Sequence, residues 1–246
     1  MKSFLKFLFS SVLVGSTLLG LGFYLDQIGF FNLSHVNLLI EQSDNQVLKM
    51  KDKISDLKYK LEQNKGQALY KIELKQIKQL LNEEAWISSY QISRRWPSEI
   101  EVLIKPEKIY FSILTSAGEL KPVIQSGEML ESVKINASAD VPIIRQSEFL
   151  KDEELRKRTI QLLKDIPLTG AFSRSEISEI QHSEKEGFTL FMSRDQLRVK
   201  LGEKQVRNKS LQVTQVMQYL VNKKIQARVI DANLSQKVLV RLRKAP

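Results

Sequence analysis

The hydrophobic and polar positions divide the chain into one unbroken apolar segment and a long region that alternates between helical and strand periods. Residues 7–25 carry no charged side chain. A helix of that length crosses a hydrocarbon core of about 30 Å. Beyond it, residues 35–40 (HVNLLI) read as a strand rich in Val, Leu and Ile. Val47, Met50, Ile54, Leu57 and Leu61 recur at spacings of three and four, which predicts a helix with one apolar face ended by Gly66. A second helix is expected over residues 73–82, with Leu74, Ile77 and Leu81 inward.

Period two then takes over. Tyr90 and Ile92 alternate with polar neighbours, as do Ile100, Val102 and Ile104, around a break at Trp96-Pro97. A proline has no N–H for a ladder, so the pattern predicts a β-hairpin with Pro97 in its connection. The order strand, helix, helix, strand, strand places two helices on one face of a three-stranded sheet.

A second block follows from residue 106. Strands are expected at residues 109–114, 121–124, 129–135 and 176–181, with a short apolar run at 141–144. A hairpin is expected over 188–193 and 196–201 around Arg194-Asp195. Helices are expected at 149–166 and 206–222, and two strands, 225–230 and 237–242, close the chain. The fold class is α+β, with the second block a mostly antiparallel sheet carrying helices on one side.

Charge sets the orientation of the apolar segment. Lys2 and Lys6 precede it and Asp26 follows, so the short tail, residues 1–6, is expected in the cytoplasm and the bulk of the chain outside the membrane. The competing reading is a cleaved signal peptide. The charged start fits that reading, but the run is long and no A-x-A pattern follows it. The chain has no cysteine, so neither a disulfide nor a lipid-modified cysteine contributes. Its net charge of +10 suits solvated faces near an anionic membrane. Nucleic acid is not expected as a partner, because the basic residues lie outside the cytoplasm in this topology.

Catalytic chemistry has little to rest on. The two histidines are His35, in a predicted strand, and His182, in a polar turn. No zinc-ligand spacing, no G-x-S-x-G elbow and no glycine-rich phosphate loop is present. No catalytic, metal or cofactor-binding residue is assigned. The last predicted strand offers binding instead. Val238, Val240 and Leu242 alternate with Leu239, Arg241 and Arg243 after Lys237. At a sheet edge such a strand accepts another strand, and its basic residues either steer an acidic partner or guard the edge.

Four features together resemble the FtsQ/DivIB family of bacterial cell-division proteins. They are the topology; Trp86-Ile87 followed by Ile92-Ser93-Arg94-Arg95-Trp96-Pro97 and an alternating strand; Leu201-Gly202 with Lys209 beyond; and Ile230-Asp231 before a last strand. The chain departs from the family pattern in Ala232-Asn233 after Asp231 and in the order around Pro106-Glu107. The resemblance implies a POTRA domain (β-α-α-β-β) at residues 31–105 and a β domain at residues 106–246. It implies a non-enzymatic divisome scaffold, single-pass in the inner membrane at the division septum, with its bulk in the periplasm. The implied partners are small division proteins of the FtsB and FtsL type, bound by strand addition, and other divisome proteins reached through the POTRA domain. Trp86, Arg94, Arg95, Trp96, Pro97, Leu201, Gly202 and Asp231 are expected to serve mainly structural roles. The alternative is a POTRA-containing envelope assembly or secretion factor.

Overall fold

The computed structural model describes residues 2–41, 51–194, 196–234 and 237–243. It forms two compact units, divided between Pro106 and Glu107.

The first unit begins with α1 (Lys2–Gln27), within which residues Phe9–Gln27 are long and apolar enough to cross a membrane. After it come β1 (His35–Ile40), α2 (Lys51–Glu62), α3 (Leu74–Asn82), β2 (Ile87–Arg95) and β3 (Glu99–Pro106). The sheet order is β1-β3-β2, with β1 parallel and β2 antiparallel to the central strand. Period two puts Val36, Ile100 and Arg94 in one cross-strand row and Leu38, Val102 and Ile92 in the next. Ile100, Val102 and Ile104 are fully buried, together with Leu57 and Leu61 of α2 and Ile77 and Leu81 of α3. This is the POTRA arrangement. Of the predicted stripe on the first helix, Val47 and Met50 lie outside the described residues, and Leu74 on α3 is only half-buried.

The second unit contains β4 (Ile109–Leu114), β5 (Leu120–Ile124), β6 (Ile143–Ile144), α4 (Glu148–Lys151), α5 (Glu153–Asp165), β7 (Ile177–Ser183), β8 (Gly187–Met192), β9 (Arg198–Gly202), α6 (Val206–Lys223), β10 (Ala227–Asp231) and β11 (Leu239–Leu242). One eight-stranded sheet runs in the order β11-β10-β9-β8-β7-β6-β4-β5. The pairings β4–β6, β6–β7 and β9–β10 are parallel and the rest antiparallel. Phe188, Leu190, Met192, Val199 and Leu201 form the sheet's buried face. Leu155, Ile160, Leu162 and Leu163 of α5, and Val213 and Leu220 of α6, complete the core against it.

Three differences from the sequence expectations have local causes. The strand expected at 129–135 does not form. That segment crosses the outer flank of β5 and pairs only at Val123–Met129 and Leu120–Val133, before a 3-10 turn at Ile135–Ala137. The helix expected over 149–166 is two helices, because Asp152 leaves the helical conformation and its carboxylate accepts the Leu155 N–H at 2.8 Å as the N-cap of α5. His182 is not in a turn. It is a buried residue of β7, since the polar run that follows supplies the β7–β8 connection.

Candidate partner-binding edge

A strand at the margin of a sheet keeps half of its backbone donors and acceptors unpaired. The eight-stranded sheet has two such margins, and the chain treats them differently. The outer flank of β5 is covered by residues 128–133: Leu130 N donates to Pro122 O (2.8 Å), and Leu120 and Val133 exchange N–H···O bonds of 2.9 and 2.8 Å. The outer flank of β11 has no covering segment among the described residues.

On its inner side β11 runs antiparallel to β10, pairing Leu239 with Asp231, Val240 with Ile230 and Arg241 with Val229. Arg243 N donates to Gln226 O at 3.0 Å, so its backbone points inward. Strand alternation then turns the N–H and C=O groups of Leu239 and Arg241 inward and those of Val240 and Leu242 to the open flank. Lys237 and Val238 precede the ladder, so the paired strand is shorter than the sequence predicts.

Side chains on this strand take two faces. Val240 and Leu242 face α6 and, with Gln215, Val216, Tyr219, Leu220 and Ile225, line an open groove of 540 Å³ whose walls are mainly apolar. Leu242 is 57% exposed and Tyr219 59%. On the other face, Leu239 is half exposed beside Arg241. Exposed apolar side chains therefore cluster along this strand and the groove beside it. Arg228, Arg241 and Arg243 give this end of the sheet a positive bias. Sequence reasoning found the strand but missed the groove. Val216, Tyr219 and Ile225 lie far from Leu242 in the chain, and only the fold brings them together.

The remaining predicted residues lie in or beside the two sheets. Leu201 is fully buried, and the buried Lys209 ammonium of α6 donates to its carbonyl at 2.8 Å. Burial lowers the Lys209 pKa, and the Asp231 carboxylate acts in the opposite direction. Gly202 follows Leu201 with a φ of +67°, a conformation suited to glycine. Asp231 ends β10, where its carboxylate accepts the Asn233 N–H at 3.0 Å. In the POTRA unit, Trp86 is buried and its indole donates to Glu84 at 2.8 Å. Arg94 donates to Ile72 O at 2.6 Å, and Arg95 pairs with Glu101 at 2.9 Å. Trp96 and Pro97 form the exposed turn between β2 and β3. These residues share the first unit but not one site: Trp86 precedes one end of β2, and Arg94, Arg95, Trp96 and Pro97 lie at the other.

Comparison with known families agrees with this architecture. The family model for the C-terminal region of cell division protein FtsQ/DivIB matches residues 113–233, and that for the FtsQ-type POTRA domain matches residues 53–105. The chain belongs to the FtsQ/DivIB family. It is similar to "Cell division protein FtsQ" of Geobacter sp. (strain M21), 24% identical over 183 residues that cover 72% of this chain and 66% of that protein. It is also similar to "Cell division protein FtsQ" of Geotalea daltonii, 24% identical over 219 residues that cover 86% and 76% of the two chains. The FtsQ/DivIB C-terminal match ends at Asn233, ahead of β11. The chain is thus a cell-division protein with one N-terminal apolar helix fit for a single-pass anchor.

Proposed function

We propose that this cell-division protein is a non-enzymatic scaffold, anchored by α1 with its bulk on the outer side of the cytoplasmic membrane at the septum. Its partner site is the open flank of β11 together with the adjoining groove. An incoming strand hydrogen-bonds to the backbone of Val240 and Leu242 and seats apolar side chains against Tyr219, Ile225 and Leu242. Partners of the FtsB and FtsL type fit this reading, and the POTRA unit serves contacts with other division proteins. The observation that carries the proposal is the contrast between the covered flank of β5 and the open flank of β11.

The test is co-purification of the full chain with the FtsB- and FtsL-type proteins of the same organism. Leu242→Glu places a carboxylate in the apolar groove and should weaken capture by at least about tenfold, or ~1.4 kcal/mol, with folding preserved. Equal capture by the folded variant rejects the site.

A further inference from the structure

The POTRA unit is fastened directly to the outer end of α1. Helix α1 ends at Gln27, and the chain that leaves it enters backbone pairing at once. Leu69 N donates to Phe31 O (2.7 Å), Leu33 N to Gln67 O (2.9 Å) and Gly66 N to Leu33 O (3.0 Å). Tyr70 Oη donates to the Asp26 carboxylate at 2.8 Å, joining the last turn of the helix to the same segment. The exit from the helix is therefore a structured joint.

The turn between β2 and β3 lies at this joint. Ser34 N donates to Ser98 O at 2.8 Å, and the Ser34 and Ser98 hydroxyls meet at 3.0 Å. Because β1 and β3 are parallel and His35 pairs with Glu99, both strands start at the helix exit and run away from it. The Trp96 ring meets Phe31 edge to face at 6.0 Å, and Phe31 meets Phe30 at 5.2 Å. Phe30, Tyr70 and Trp96 are nonetheless exposed, Trp96 by 58%. Lys71 stands over the Tyr70 ring at 5.5 Å. Three exposed aromatics and a lysine thus surround the point where an apolar helix ends.

We propose that this Trp96 turn, with Phe30, Tyr70 and Lys71, rests in the lipid headgroup layer and holds the POTRA unit against the bilayer surface. The proposal rests on the reading of α1 as a membrane anchor. Tryptophan and tyrosine favour that layer, where an aromatic body meets acyl chains and a polar edge meets water and headgroups. A lysine beside them reaches the phosphates while its stem stays on the aromatic surface. Continuity with the apolar helix selects lipid as the occupant, since the patch begins where the crossing segment stops.

The test uses the full chain reconstituted in vesicles of phosphatidylcholine and phosphatidylglycerol, with lipids brominated at shallow or deep acyl positions as fluorescence quenchers. The two tryptophans provide their own contrast. Trp86 lies beyond the other end of β2, nine residues long, so it stands about 30 Å from Trp96. Shallow bromines should quench the wild-type emission most, and Trp96→Phe should lose most of that quenching. A reporter in the apolar span, Val14→Trp in the Trp96→Phe background, should be quenched most by deep bromines. If Val14→Trp is quenched by deep bromines but the wild-type emission shows no preference for shallow ones, the anchor stands and this proposal fails. If Trp96→Phe is quenched as strongly as the wild type, the proposal also fails. If Val14→Trp escapes quenching, the anchor reading fails and the proposal falls with it.

Discussion

Gly187, at the start of β8, and Gly202, at the end of β9, pass so closely that a Cβ on Gly187 would stand 2.7 Å from the Gly202 Cα. Gly187 also has a φ of +67°, where a side chain is strained. Gly187→Ala should therefore destabilise the chain by about 1–3 kcal/mol, from backbone strain and displacement of the β8–β9 pairing. Thermal unfolding of the detergent-solubilised chain reads this directly. An unchanged midpoint contradicts the close approach.

Glu203 adds a pH dependence to the same region. Its carboxylate meets His182 Nε2 at 2.6 Å and Arg158 Nη1 at 2.9 Å. The His182 hydrogen bond, followed by the Arg158 charge, holds its pKa below the reference value of 4.5, against the effect of partial burial. A carboxyl depressed on folding contributes its full stabilisation above the unfolded pKa. It loses that contribution as pH falls through the folded value. Glu203→Gln should flatten the acid limb of the midpoint-versus-pH curve from about pH 5 downward. Parallel wild-type and variant curves contradict the assignment.

Asp152 caps α5 through Leu155 N. Asp152→Ala should cost about 1 kcal/mol, and Asp152→Asn, which keeps the accepting oxygen, much less. Denaturant unfolding of the pair separates the capping bond from a general effect of substitution.

Arg241 is exposed on the open strand, on the face opposite the groove. In the scaffold reading it attracts an acidic partner during encounter. Arg241→Ser should slow association and reduce its dependence on salt, while changing dissociation little. Association rates at two ionic strengths provide the check. A change confined to dissociation contradicts a steering role.

Much of the fold is legible in the sequence because each sheet buries one face. Ile100, Val102 and Ile104 alternate with Glu101 and Leu103, and Phe188, Leu190 and Met192 alternate with Thr189 and Phe191. Residues 129–135 misled because Met129, Val133 and Ile135 fall on one alternating set, yet the pairing with β5 slips by one residue between Val123–Met129 and Leu120–Val133 and leaves only isolated bridges. The edge position of β11 follows from the topology of eight strands, which no local pattern contains. The groove depends on the same long-range closure, since it needs α6 beside β11. Trp96 shows the limit of residue-type reasoning. A tryptophan beside a turn proline is usually packed, whereas this one touches Phe31 and leaves most of its ring exposed.

The scaffold account depends on backbone pairing along the open flank of β11. The Val240 N–H points to that flank, so proline at this position removes a donor for an added strand and leaves the β10 ladder intact. The most direct measurement is the affinity of the full chain for the outer segment of an FtsB-type partner, wild type against Val240→Pro. The account predicts that the folded variant binds at least about tenfold more weakly. Equal affinity, with the variant's fold verified by its unfolding midpoint, contradicts it.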